Sequence, residues 1–237
     1  MCNTQPYTKS LSRSKVALFL ECPRCFYLDR VLDTGRPPGF PFTLNNAVDK
    51  LLKNEFDGYR SRQEVHPLLE AHNLSLTPAQ DARLETWRAN FKGIRHEYRG
   101  YVFSGAIDDL WKDQENRFYV VDYKATGKSQ PVIAINEPFH IHYKRQIEFY
   151  QWLLRGNGLN VSNTGYFVYA TADPERGHFG NQLLFHSALI TYEANADWIE
   201  PVLDELITCL QSKTIPLASQ DCVYCKYIKK IAEAQVK

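Results

Sequence analysis

The chain has 237 residues, 44% of them hydrophobic and 23% charged, with a mean hydropathy of −0.41. That is the composition of a soluble globular protein able to bury a real core, and it excludes disordered, collagen-like and membrane-spanning chains. Lys and Arg (28) and Asp and Glu (27) leave a net charge of +1, so any polyanion must be gripped by a local patch. At about 150 residues per domain the length corresponds to a single domain over 1–237. The apolar run 16–20 is far shorter than the roughly 20 residues of a spanning helix. No small-residue cleavage site follows it, which argues against a secretory signal and for a cytoplasmic protein without membrane contact.

Residues 10–32 read as helical, with Ser12 as a cap before Val16, Phe19 and Leu20, and with the pair Cys22 and Cys25 interrupting the helix. The stretch 35–41 holds three prolines and two glycines and must be a loop. From Thr43 a second helix carries Leu44, Ala47, Val48, Leu51, Leu52 and Phe56 as a core-facing stripe, with Asp49 at its edge. Thr77 and Pro78 open a third helix through Leu84, Trp87 and Phe91, because proline is tolerated in a first turn.

Between 94 and 125 the period becomes strand-like, and three antiparallel strands are expected. A helix over 141–154 closes on Gly156, Asn157 and Gly158; strands over 165–170 and 183–192 and an amphipathic helix over 196–210 complete the order. Helices, a meander, a helix and further strands predict an α/β (α+β) protein with a mixed central sheet flanked by helices.

Asp108 ends one predicted strand and Asp122 lies fourteen residues further, near the end of the next, so neighbouring strands deliver both carboxylates to one place. The strand period of two puts Asp122 and Lys124 on one face, opposite Val121 and Tyr123. Two carboxylates are sufficient oxygen ligands for a hard cation such as Mg²⁺, and a lysine beside it can orient or deprotonate water and neutralise charge on a phosphorane. The same residues equally describe turn aspartates and a solvated ion pair.

Gly105 to Asp108 followed by Val120-Val121-Asp122-Tyr123-Lys124 resembles the core of the PD-(D/E)XK nuclease superfamily, in its RecB-type branch, which includes nuclease domains of recombination helicases and CRISPR-associated adaptation exonucleases. The resemblance implies a restriction-endonuclease-like fold, with the nuclease core at about 43–192. It also implies Mg²⁺ or Mn²⁺ on Asp108 and Asp122 with Lys124 activating water. The family's Gly-x-x-x-His ligand falls on Asn45 to Asp49, so Asp49 would replace the histidine as a metal ligand. Its Gln-x-x-x-Tyr motif falls on Gln146 and Tyr150, which the resemblance sets beside the substrate strand, and Lys144 and Arg145 can grip phosphates there.

Cys22 with Cys25 and Cys222 with Cys225 form two Cys-x-x-Cys pairs, a ligand set for structural zinc or an iron–sulfur cluster. Spacing alone does not choose between them. The Cys-Pro-x-x-Phe-like context of Cys22 resembles the family's iron–sulfur clasp, which implies a 4Fe-4S cluster, with Zn²⁺ as the alternative, joining segments 10–32 and 211–237. Here, however, the family's last cysteine is replaced by Ile231 and the ligands divide two and two. Cys2 and Cys209 stand alone, as a tail thiol and a buried apolar side chain.

Basic stretches at 88–99, 140–145 and 226–230 are candidate phosphate contacts. The expected activity is a metal-dependent DNA nuclease, an exonuclease on single-stranded or otherwise free ends, with repair or CRISPR-adaptation proteins as partners. The alternative is a nuclease-derived DNA-binding module that has lost cleavage, motivated by the missing histidine.

Overall fold

The computed structural model describes residues 10–235; Cys2, expected as a tail thiol, lies outside them. In chain order the elements are β1 (Leu11–Ser12), α1 (Arg13–Glu21), α2 (Pro23–Arg30), α3 (Thr43–Arg62), α4 (Pro67–Glu70), β2 (Thr77–Pro78), α5 (Leu84–Arg88), β3 (Ile94–Tyr98) and β4 (Tyr101–Gly105). They continue with β5 (Asp109–Lys112), β6 (Phe118–Gly127), a 3₁₀ turn (Pro138–His140), α6 (Ile141–Gly156), β7 (Thr164–Ala172), β8 (Phe185–Glu193), α7 (Ile199–Gln211) and α8 (Val223–Gln235). Two units result, one formed by Pro41–Ala196 and one by residues 10–40 with 197–235.

The larger unit is built on a five-stranded mixed sheet of order β2-β5-β6-β7-β8. Strands β6 and β7 are parallel, and α6 supplies the crossover that a parallel pair requires; the remaining neighbours are antiparallel. On one face Val121 and Tyr123 of β6 pack with Phe56 of α3 and with Leu69, Leu76, Trp111, Tyr166 and Val168. Alternation leaves Asp122 and Lys124 on the opposite face. Strands β3 and β4 form a separate antiparallel hairpin, turned by Arg99 and Gly100, both with positive φ (49° and 78°), as a tight two-residue turn demands.

Three expectations are corrected. Thr77 and Pro78 do not open a helix: they form the edge strand β2, pairing with Lys112 and Trp111, and the helix is confined to α5, with Phe91 97% exposed beyond it. Proline lacks the N–H that a central strand needs, but an edge strand can dispense with it. The meander is four strands in two hairpins instead of three in a row, broken over 106–108, so Asp108 precedes β5 rather than ending a strand. On α3 only Val48 and Phe56 of the expected stripe are buried, while Leu44 and Leu51 face outward.

A buried ion network holds α3 and α5 to the sheet. Asp109, with no exposed surface, accepts hydrogen bonds from Arg60 Nη2, from Arg88 Nη2 at 2.7 Å, from Tyr123 Oη at 2.6 Å and from the Leu110 amide at 2.7 Å. Both arginines also reach Asp57, at 2.9 and 2.8 Å; burial works against that carboxylate's charge, but the two guanidiniums outweigh it and hold its pKa below the usual range. Arg88 is thereby committed to the interior and is not a phosphate contact, contrary to its place in the basic stretch 88–99.

In the smaller unit the chain turns at Cys22, whose backbone is extended, and Pro23 opens α2 in its first turn, where a missing N–H costs nothing. Helix α7 lies against α1 and α2, and Tyr27 Oη donates to the Ser212 carbonyl at 3.0 Å. Among the described residues no helix is long and apolar enough to cross a membrane.

Replacing Asp109 with Ala removes the buried acceptor that the two guanidiniums share and leaves them only the more exposed Asp57 in common, so urea denaturation should show a loss of about 3–5 kcal/mol; a loss below about 1 kcal/mol would mean that the network does not anchor α3.

Candidate active site

Strand pairing brings the two motif aspartates together. Asp109 is registered against Val121, and one further residue along the antiparallel ladder sets Asp108 beside Asp122. The Tyr123 amide donates to Asp108 Oδ2 at 3.0 Å and so fixes that carboxylate at the mouth of the β5–β6 pair. Because Tyr123 Oη also holds Asp109, one residue ties the structural network to the site.

Asp122 is wholly buried and ion-paired with Lys124; beyond that pair neither of its carboxylate oxygens has a hydrogen-bond partner. Burial first, and then the neighbouring Asp108 charge, push its pKa up to about 7 against the opposing pull of Lys124. Lys124 also faces the Tyr143 ring of α6, with Nζ 4.7 Å from its centroid. The aromatic ring lies against the lysine itself.

Asp49 joins the site from α3 through a residue that motif reading passed over. Lys53, one turn further on, places its ammonium 2.9 Å from Asp49 Oδ2 and 3.3 Å from Asp108 Oδ1. Burial and the Asp108 charge raise the Asp49 pKa, with Lys53 opposing. Burial disfavours the Lys53 charge, but Asp108 and Asp49 outweigh it and raise its pKa. One turn earlier on the same helix, Asn45 Nδ2 donates to the Ala125 carbonyl at 2.6 Å and pins α3 beside the end of β6. The signal for Lys53 was its spacing of four from Asp49, which alone is the commonest surface pairing on a helix.

On α6, Gln146 Nε2 donates to Tyr150 Oη at 3.2 Å, so the two motif residues pair with each other. The Tyr150 ring is buried over Gly105, where an added Cβ would stand 2.6 Å from it. Lys144 Nζ lies 5.7 Å from the Tyr192 ring centroid, and Arg145 is half-buried beside it in sequence. His140, within the basic stretch 140–145, is buried and accepts from the Glu137 amide through Nδ1 at 3.1 Å.

The smaller unit gathers Cys22, Cys25, Cys222 and Cys225 so that all four sulfurs lie within 4.8 Å of one another. The Cys22–Cys225 separation is 3.9 Å, and Cys25 stands 3.6 Å from both Cys222 and Cys225. Burial opposes ionisation of Cys22, yet amide donors at Cys25 and Ser219 bring its pKa down to about 7. Arg36 stacks on Tyr224, its guanidinium carbon 4.3 Å from the ring centroid, and donates to Cys222 Sγ at 3.4 Å, setting a positive charge against the thiols. Cys209 is only partly buried on α7, where burial raises its pKa.

The family model of the PD-(D/E)XK nuclease superfamily matches residues 10–229. The chain belongs to that superfamily. PD-(D/E)XK nucleases act on nucleic acid and generally use Mg²⁺ or Mn²⁺, and the expected mixed sheet flanked by helices is the restriction-endonuclease-like fold of the group. Among solved structures, the crystal structure of SSO0001 is 16% identical, with a TM-score of 0.38 over 94% of this chain and 85% of that one. No curated protein matches. For this PD-(D/E)XK chain the donor set at the site fits the ion the superfamily uses: hard oxygens, one carboxylate buried without adequate partners, and a net negative charge.

Asp122 also makes stability depend on pH. Its pKa in the metal-free fold lies above the unfolded value of about 3.9, so the fold binds the proton more tightly and loses stability as pH rises from about 4 to about 7. Thermal melts of metal-free protein should therefore register a decline attributable to this group of on the order of 2 kcal/mol between pH 5 and pH 8. Mg²⁺ should offset the decline at the upper end. Asp122→Asn should flatten the slope and abolish the Mg²⁺ effect; an unchanged slope would place the buried charge elsewhere.

Proposed function

We propose that the chain is a divalent-metal-dependent deoxyribonuclease, an exonuclease acting on single-stranded DNA ends. The observation that carries this reading is the register-enforced meeting of Asp108 with Asp122, completed by Lys124 on the same face as Asp122. Asp108 and Asp122 hold the cation, and Asp49 completes the acidic rim from α3. When bound, the ion stabilises charge on the phosphoryl oxygens and lowers the pKa of water. Lys124 orients the attacking water and neutralises charge that builds on the phosphorane, while Tyr143 confines its ammonium to that face. Lys144, Arg145 and the Gln146–Tyr150 pair line α6 as the side along which the strand runs. Aromatic rings beside basic residues, as at Tyr143 with Lys124 and Tyr192 with Lys144, suit unpaired bases held without sequence readout.

The cysteine site is structural in this reading. Thiolates bonded to one tetrahedral ion at about 2.3 Å stand about 3.8 Å apart. Three of the six separations, at 3.6–3.9 Å, match that figure, and all six lie within 4.8 Å. A cube of four irons gives each thiolate its own metal corner and spreads the sulfurs further, so the spacing favours Zn²⁺ over the 4Fe-4S cluster that the resemblance implied. Protein purified anaerobically should be colourless with one zinc per chain; brown protein with about four irons would reject this.

A second reading has its own observation: Lys53 stands where a cation would bridge Asp49 and Asp108, as in a module that binds DNA but no longer cleaves it. End-labelled single-stranded DNA separates the two. With Mn²⁺ the wild type should release labelled nucleotides, and Asp108→Ala and Lys124→Ala should each lower the rate by about 10²–10⁴-fold in protein whose thermal melt shows it still folded. Tight binding without cleavage in either Mg²⁺ or Mn²⁺ would favour the module, and full activity in both variants would remove these residues from the chemistry.

A further inference from the structure

Lys53 lies outside every motif that links the chain to its family, yet its ammonium is at the centre of the acidic site, on a side chain only 22% exposed. It bridges Asp49 Oδ2 at 2.9 Å and Asp108 Oδ1 at 3.3 Å. A two-ion nuclease places its second cation about 3.5–4 Å from the first, on oxygens contributed by more than one carboxylate. Here the oxygens that α3 and the β5 mouth offer to such an ion are already shared by a cation that the chain itself supplies. Among the described residues the four cysteines bring their ligand atoms within 4.8 Å of one another, whereas between Asp49 and Asp108 it is the Lys53 ammonium that stands.

Charge counting points the same way. Three carboxylates face two ammoniums, Lys53 and Lys124, leaving a net charge of −1. One divalent ion together with one phosphodiester brings the site to neutrality. A second ion would leave two uncompensated positive charges around a group whose innermost carboxylate has no exposed surface.

We propose that Lys53 is a resident cation that occupies the place of a second divalent ion, so that the site works with a single ion on Asp108 and Asp122, and Asp49 serves as the counter-ion of Lys53. This rests on the nuclease reading above and adds the stoichiometry of its cofactor. Removing the ammonium frees Asp49 and the outer oxygen of Asp108 for a second ion; Arg retains the positive charge at that position.

The test is Mn²⁺ binding to the full chain, followed by the loss of the free-ion electron paramagnetic resonance signal. Manganese prefers oxygen to thiolate, so the cysteine site does not enter the count. Wild type and Lys53→Arg should each bind one Mn²⁺ that disappears in Asp122→Asn. Lys53→Met should bind two, with spin coupling between them. Two ions in the wild type, or one in a Lys53→Met protein whose thermal melt shows it folded, would overturn the proposal while leaving the nuclease reading intact. Absence of any Asp122-dependent ion would overturn both. If Lys53→Met does not fold, the wild-type count decides alone: one supports the proposal and two reject it.

Discussion

The larger unit is organised around the burial of one carboxylate. Asp122 sits on β6, with β5 and β7 on either side, and has no exposed surface, so its charge must be met from within. Asp109 provides the contrast. It is just as buried, but two guanidiniums, a phenol and an amide satisfy it and tie it into the scaffold. Asp122 has a single ammonium and a like-charged neighbour, and its pKa rises to about 7. Proteins rarely leave a buried charge so poorly paired without a use for it. Asp109 and Asp122, thirteen residues apart in this hairpin, thus differ through their partners and not through their depth.

The scaffold and the chemistry are mechanically joined. Tyr123 donates from its side chain to Asp109 and from its backbone to Asp108, so the residue between Asp122 and Lys124 is held from both ends. Its ring packs on Phe56 of α3, with centroids 5.6 Å apart, the helix that also carries Asn45, Asp49 and Lys53 in successive turns. Arg60, two turns beyond Lys53, closes the loop by binding Asp109. A displacement of α3 would therefore disturb the acidic rim and the buried network together.

What could be read from the sequence follows from what is local. The alternation along β6, the α6 crossover and the two Cys-x-x-Cys pairs are short-range patterns, and they located the mixed sheet, the Asp108–Asp122 pairing and the thiol cluster. Thr77 and Pro78 were misread because proline suits both a first helical turn and an edge strand, and only the pairing with Lys112 and Trp111 distinguishes them. Arg88 looked like one member of a basic stretch; its partners Asp57 and Asp109 lie 31 and 21 residues away, beyond any local pattern. The outward-facing Leu44 and Leu51 share a helical period with Val48 and Phe56, and periodicity alone cannot say how wide the buried stripe is.

If Asp49 takes the place of the family's histidine, as the motif resemblance implies, Lys53 would act as its electrostatic complement. Histidine at the position of Asp49 would be a neutral ligand, so its replacement by aspartate adds a negative charge to a site that already concentrates two. Uncompensated, that charge would raise the neighbouring carboxylate pKa values further and weaken the hold on a cation at neutral pH by favouring protons over metal. A lysine one turn further along the same helix is the nearest place from which a positive charge can reach both Asp49 and Asp108 without altering the sheet. The exchange of a histidine for an aspartate and a lysine keeps the formal charge of the rim unchanged while converting a ligand into an ion pair. On that assignment the absence of a histidine would not by itself mean the loss of a working site, because Asp49 and Lys53 together carry the same formal charge as a neutral imidazole.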